Sequence, residues 1–202
     1  MRICITLDDV LRAKTYQFGK IYKKYIDPSI QLETLDMSSG DLCSIFKFKN
    51  KKEFEKFLYE DYGFEIFGEA GVTEKGVDKK LILWQLGLAE NDDLDEPVEL
   101  LLANPMEFNA SIGFSYFFIS KLATRIREVH FPSDSQKIWE LCDVLITADP
   151  KLLENKPDGK IAVKIKTDYN TDSKYDFEYD KLSNFIEDEE IIEKLQSYGR
   201  EK

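Results

Sequence analysis

Two adjacent carboxylates, Asp8 and Asp9, follow directly on the apolar run Ile3-Cys4-Ile5-Thr6-Leu7. Such a run fits a strand buried on both faces of a parallel sheet. Open α/β sheets bind ligands beyond the carboxyl ends of their strands. Acids at that place can move protons, or can cap the next helix through its free N–H groups. Asn104, after the apolar residues 98–103, and Thr147 and Asp149, after Asp143-Val144-Leu145-Ile146, stand in equivalent positions. The acids Glu90, Asp92, Asp93, Asp95 and Glu96 lack EF-hand spacing and read as a solvated connection. His130, the single histidine, falls inside an alternating stretch and reads as a strand residue. Cys4, Cys43 and Cys142 form no CxxC or Cys/His cluster, so neither a zinc site nor a disulfide framework is expected. No GxSxG, P-loop or GxGxxG occurs.

The elements that must hold these residues follow from the patterning. In residues 10–25, Leu11, Thr15, Phe18, Ile21, Tyr22 and Tyr25 fall largely on one helical face, and Asp27-Pro28 ends the helix. Residues 98–103 predict a second buried strand. Residues 108–122 predict a buried helix, with a strand over 116–119 as the alternative, because periodicity alone does not separate the two. Residues 127–131 alternate as a strand. Ser133 or Asp134 then caps a short helix carrying Ile138, Trp139 and Leu141. Residues 143–147 form another buried strand, and 161–166 an edge strand with its lysines outward. This order predicts an α/β fold, a Rossmann-like doubly wound parallel sheet with an inserted cap subdomain and a C-terminal helical tail. The core would comprise residues 1–28 and 97–170, the cap 29–96 and the acidic tail 171–202. In the cap, Phe46 and Phe48 alternate with lysines as a short strand, Asn50 caps a helix over 51–62, and 78–88 form a further helix. The tail holds ten acids and five bases, with Phe185, Ile186, Ile191, Ile192 and Leu195 as an apolar stripe for the core or for a partner.

Composition narrows the function classes. Of 202 residues, 43% are hydrophobic and 13% aromatic, enough to fill a core. With 39 acids and 28 bases the net charge is −11, which disfavours direct nucleic-acid binding and anionic membranes. No apolar stretch reaches the roughly 20 residues of a membrane helix, and the early acids interrupt any secretory leader pattern. A soluble, unsecreted protein in a reducing compartment is expected.

The pattern Ile5-Thr6-Leu7-Asp8-Asp9-Val10-Leu11 resembles the opening motif of the haloacid-dehalogenase-like phosphohydrolases, especially their 5′-nucleotidase branch. The resemblance spans about 100 residues. Family members begin strand-D-x-D-D-[TV]-L and commonly carry a cap inserted after the first helix. Their second motif, a Ser or Thr, falls here on Asn104. Their fourth, a strand followed by paired acids, falls on Thr147 and Ala148, with Asp149 one step beyond. Lys137, before the fourth-motif strand, could be the phosphate-neutralising lysine, or a solvated helix residue. The stretch Lys166-Thr167-Asp168-Tyr169-Asn170 is similar to the Pro-Tyr-Asn ending of some nucleotidases.

The departures carry a functional expectation. The family's nucleophilic, metal-holding aspartate corresponds to Thr6, and its general acid/base to Asp8. A threonine hydroxyl supplies no charge to magnesium, and Ala148 supplies no ligand atom. Phosphoryl transfer rests on positioning and charge stabilisation, so the resemblance implies a catalytically dead relative without cofactor. Thr6, Asp8, Asn104, Lys137, Thr147 and Asp149 would be vestigial positions. The alternative is a working magnesium-dependent phosphohydrolase of small phosphate esters or nucleotides, with Asp8 as acid/base. The segments SIGFSYFFISK, RIREVHFP and IWELCDVLITADP also resemble proteins of crAss-like tailed phages. That resemblance implies a structural virion component, such as a tail or neck ring subunit with other protein subunits as partners. Its location would be the virion, or otherwise the cytoplasm.

Overall fold

The computed structural model describes residues 1–90, 97–106 and 108–200. Among these, one parallel sheet holds β1 (Arg2–Thr6), β2 (Glu99–Ala103), β3 (Val129–His130), β4 (Val144–Thr147), β5 (Ile161–Ile165) and β6 (Phe177–Tyr179). Their spatial order is β3-β2-β1-β4-β5-β6. The helices are α1 (Lys14–Tyr25), α2 (Leu42–Ile45), α3 (Lys51–Glu55), α4 (Val77–Glu90), α5 (Asn109–Ser120), α6 (Lys137–Leu141), α7 (Pro150–Glu154), α8 (Leu182–Ile186) and α9 (Ile191–Arg200). Two π-helical segments, Lys56–Asp61 and Phe64–Gly68, lie between α3 and α4.

Helices cover both faces of the sheet, as expected of a doubly wound fold. Ile3, Ile5, Ile146 and Val163 pack on one face with α4, α8 and α9. Cys4, Leu101, Leu145 and Ala162 pack on the other with α6 and α7. Because both faces are covered, the central strands are continuous apolar runs. A third cluster joins α1 to the segment before α4 through Phe18, Tyr22, Phe46, Phe57 and Phe67. The region 29–96 is therefore divided in its packing: the part before α4 builds this aromatic cluster, whereas α4 lies on the sheet.

Several expectations are corrected. The first helix starts at Lys14, not at residue 10. The N–H groups of Val10, Leu11 and Arg12 all turn back to the Leu7 carbonyl, and Asp9 adopts φ 57°. Phe46 and Phe48 are not a strand. Lys47, at φ 53°, reverses the chain between them, so both rings enter the aromatic cluster instead of alternating. β5 is not an edge strand, because β6 pairs beyond it with Lys164 opposite Glu178. Nor does Lys164 point to solvent. Its ammonium lies 2.5 Å from Glu178, 4.2 Å from the Tyr175 ring centre, and donates to the Asn170 and Thr171 carbonyls. Residues 171–202, expected to be helical, thus supply a strand as well as α8 and α9. The strand alternative for 116–119 is excluded by α5. Asn50 caps α3 through Glu53 N–H as expected, and the helix then widens into its π-helical segment. The acidic positions 92–96 lie outside the described residues.

Candidate functional site

Strand order reverses between β1 and β4, the place where sheets of this topology open a crevice at their carboxyl ends. Thr6 ends β1 and Thr147 ends β4, and both are buried. Thr6 Oγ1 donates to Thr147 Oγ1 at 3.1 Å. The Asp149 N–H donates to the same Thr147 oxygen at 3.1 Å. The two hydroxyls thus satisfy one another across the switch point.

Asp8 lies one turn of chain above. Asn104, just past β2, accepts from the N–H groups of Leu7 and Asp8 at 3.2 and 3.0 Å and donates its amide to Asp8 Oδ2 at 3.1 Å. Arg12 donates from Nε to Asp8 Oδ1 at 2.8 Å, and Lys14 Nζ sits 3.3 Å from Oδ2. Arg12 is wholly buried. It also donates to the Phe67 carbonyl and to Ser115 Oγ, at 3.0 and 2.8 Å, and lies over the Phe67 ring. It therefore ties the β1 loop to the cap segment and to α5. Asp8 keeps 21% of its side chain exposed. Burial acts to raise its pKa, but the charges of Arg12 and Lys14 and the hydrogen bonds from Arg12 and Asn104 outweigh it and hold the carboxyl down at about 2. Burial opposes the Lys14 ammonium, yet Asp8 and Asp9 hold its pKa above the ordinary value.

Asp9 has a different task. Its carboxylate accepts from Thr15 N–H at 3.0 Å, from the Thr15 hydroxyl at 2.5 Å and from the Tyr169 hydroxyl at 2.7 Å. Of the two acids expected to cap the helix, Asp9 alone reaches a first-turn N–H, whereas Asp8 is held in ion pairs. Burial, then the Asp9 charge, push the Tyr169 phenol well up. Gly40, at φ +65°, lets the cap loop rest on Tyr169, since a Cβ there would stand 3.3 Å from the Tyr169 Cβ.

The remaining candidates are dispersed. Asp149 caps α7 through Lys151 N–H at 2.8 Å. Lys137 is exposed at the start of α6 and makes no contact with the Asp8 cluster. His130 bonds to Glu128 at 2.8 Å. Ala148 offers only its carbonyl, which accepts from Asn170 Nδ2 at 3.0 Å. Among the described residues no three His, Cys, Asp or Glu side chains gather into a metal site. Magnesium prefers carboxylate oxygens, and two mutually bonded hydroxyls beside an alanine do not fit it.

Sequence reasoning missed Arg12, Lys14 and Lys164, and quoted Tyr169 in the nucleotidase-like stretch without its bond to Asp9. The Asp8-to-Arg12 spacing of four was the available signal for the first. For Lys164 it was a lysine inside the apolar run IAVKI.

No protein-family model and no curated protein matches the chain. Among solved structures it is similar to a haloacid dehalogenase-like family hydrolase from Xanthomonas campestris, with a TM-score of 0.50 and 11% identity, covering 100% of this chain and 98% of that one. It is also similar to YfnB of Bacillus subtilis, described as a HAD-hydrolase bound to magnesium, with a TM-score of 0.47 and 11% identity, covering 91% of this chain and 96% of that one. The likeness to the Xanthomonas structure, together with the six-stranded parallel sheet, shows a haloacid-dehalogenase-like α/β fold.

Proposed function

We propose that this chain is a non-catalytic structural or scaffolding subunit on a haloacid-dehalogenase-like fold. The observation that carries the reading is the state of Asp8. A general acid for a leaving alkoxide works best with a pKa near the operating pH. Arg12, Lys14 and Asn104 surround Asp8 with donors and hold its carboxyl well below the usual carboxylate range, so at neutral pH it is ionised and engaged rather than poised to give up a proton. Its lone pairs are directed at four donor groups of the chain itself. The second support is the Thr6–Thr147 pair, which supplies neither the nucleophilic carboxylate nor the metal ligands that the family resemblance assigns to those positions. The similarity of the segments around residues 111–150 to tailed-phage proteins supports placing such a subunit in a virion tail or neck. That part of the reading rests on sequence resemblance alone.

The competing reading is a magnesium-dependent phosphohydrolase, favoured by the position of Asp8 at the carboxyl end of β1 beside Asn104. The discriminating experiment is phosphate release from nucleoside monophosphates and sugar phosphates with magnesium, comparing wild type with Asp8→Asn. Equal, background-level release from both is the expected result. Turnover that disappears in Asp8→Asn would overturn the structural reading.

A further inference from the structure

One carboxylate oxygen of Asp8 holds an amine and a carboxamide side by side. Arg12 occupies Oδ1, through Nε at 2.8 Å and through Nη2 at 2.5 Å. Oδ2 is left to two other nitrogens, Lys14 Nζ at 3.3 Å and Asn104 Nδ2 at 3.1 Å. The three groups come from the loop after β1, the first residue of α1 and the end of β2. An amine and a carboxamide that share a carboxylate have the parts for amide exchange, in which the amine displaces ammonia.

The carboxamide is set for attack. Its Oδ1 accepts from the N–H groups of Leu7 and Asp8, at 3.2 and 3.0 Å. Two backbone donors on one carbonyl oxygen polarise it and hold the negative charge that grows there during addition, the arrangement of an oxyanion hole. Nδ2 also donates to the Pro105 carbonyl at 3.3 Å. Asn104 is 2% exposed, which keeps water from competing. The common competitor for an asparagine carboxamide is the N–H of the next residue, and here that residue is Pro105, which has none. The Lys14 ammonium lies 5.9 Å from the Phe67 ring centre. The charged and titratable groups that face it are Asp8, Asp9 and Arg12 from the loop after β1 and Tyr59 from the cap segment.

We infer that Lys14 and Asn104 are the partners of an intramolecular isopeptide bond, with Asp8 carrying the proton between their nitrogens. Lys14 first loses one proton to solvent, which its partly exposed side chain reaches. The free Nζ lone pair then adds to Asn104 Cγ. The carbonyl electron pair moves to Oδ1, where the N–H groups of Leu7 and Asp8 hold it. A proton passes from Nζ through Asp8 Oδ2 to Nδ2. The Cγ–Nδ2 bond breaks, ammonia leaves with that electron pair, and the Oδ1 carbonyl re-forms. A lysine ammonium and a carboxamide thus give one amide, one ammonia and one proton. Asp8 begins and ends ionised, in keeping with its bonds to Arg12. Asp8 and Asp9 favour the Lys14 ammonium, so the bond forms slowly at neutral pH, and about tenfold faster for each unit of rising pH below the lysine pKa. A bond made once per chain needs no faster step. It closes residues 14–104 into a loop and pins the start of α1 to the end of β2. The inference goes beyond the structural-subunit reading and does not rest on it.

The test is the intact mass of the full chain, read by mass spectrometry after incubation at about pH 9, where the lysine amine is more abundant. Wild type should be lighter than its sequence by one ammonia. Digestion with trypsin should then yield a branched peptide joining residues 13–20 to residues 81–121. Lys14→Arg, which keeps a cation beside Asp8, should hold its full sequence mass, and so should Asp8→Asn. A wild-type chain at full mass after incubation overturns the inference, whether or not the variants fold. Ammonia loss without the branched peptide overturns it as well, since a succinimide at another asparagine has the same mass. A branched peptide that forms as fast in Asp8→Asn as in wild type removes the relay assigned to Asp8. Mass is read here and phosphate release in the earlier experiment, so the failure of one reading is distinguishable from the failure of the other.

Discussion

Thr6 on β1 and Thr147 on β4 are joined by a 3.1 Å hydroxyl–hydroxyl bond at the point where the strand order reverses. The crevice position of the fold is therefore closed by two neutral groups that satisfy each other. Thr6→Val should cost about 1 kcal/mol, the net value of a hydrogen bond. Thr6→Asp should cost about 2 kcal/mol or more, because it places a carboxylate in a buried position without a cation. Urea unfolding measures both. Magnesium that raised the stability of wild type itself would overturn the conclusion that the Thr6–Thr147 pole does not suit the metal.

Arg12 and Asp8 should behave as one unit. Arg12→Met leaves Asp8 with Lys14 and Asn104 only, and Asp8→Asn leaves a wholly buried guanidinium without its counter-charge. Each single change is expected to cost about 3 kcal/mol or more, and the double variant less than their sum by at least about 1 kcal/mol. Additive costs in the double-mutant cycle would show that the pair is not coupled.

The same carboxyl makes stability pH-dependent with a defined sign. Its folded pKa of about 2 lies below the ordinary 3.8, so its contribution is fully present above the unfolded value and is lost as pH falls through the folded one. The loss amounts to roughly 2 kcal/mol between about pH 4 and pH 2. Acid titration of stability should therefore be shallower in the Asp8→Asn/Arg12→Met variant than in wild type over that window. Parallel curves would count against the assignment.

Lys164 and Glu178 hold β6 to the sheet across a fully buried strand. Lys164→Met removes the cation and leaves Glu178 with Lys166 on the open side. Hydrogen exchange should then accelerate selectively in residues 177–179, with the central strands still protected. Uniform loss of protection would mean that β6 is not a separable edge.

Tyr169→Phe removes the hydroxyl donated to Asp9. A hydrogen bond to a charged group predicts a loss of about 1.5–3 kcal/mol. Thermal melts of Tyr169→Phe, alone and combined with Asp9→Asn, test whether that bond is the source.

The local patterns were legible because they reflect short-range physics. Ile3, Cys4 and Ile5 announce a strand covered on both faces, Asn50 announces a helix start, and Asp27-Pro28 announces an end. Two readings failed where a single residue changed the chain's direction. Lys47 and Asp9 adopt positive φ, which the flanking periodicity does not reveal. β6 was missed because three residues are too short for a pattern, and its partner Lys164 looks like a solvent-facing lysine until another strand lies beside it.

The sequence by itself determined the parallel α/β core, the acidic balance, and the residue types Thr6, Asp8, Asn104, Thr147 and Ala148 at the strand ends. Those follow from hydrophobic period and position along the chain. Only the tertiary structure decided what the residues do. Whether Asp8 is a proton donor or a permanently ionised anchor depends on Arg12 and Lys14 folding back and on Asn104 arriving from 96 residues away. Whether Thr6 and Thr147 open a site or close one depends on two strands meeting across 141 residues of sequence. A pKa and a hydrogen bond are properties of neighbours in space, and the fold alone chooses the neighbours.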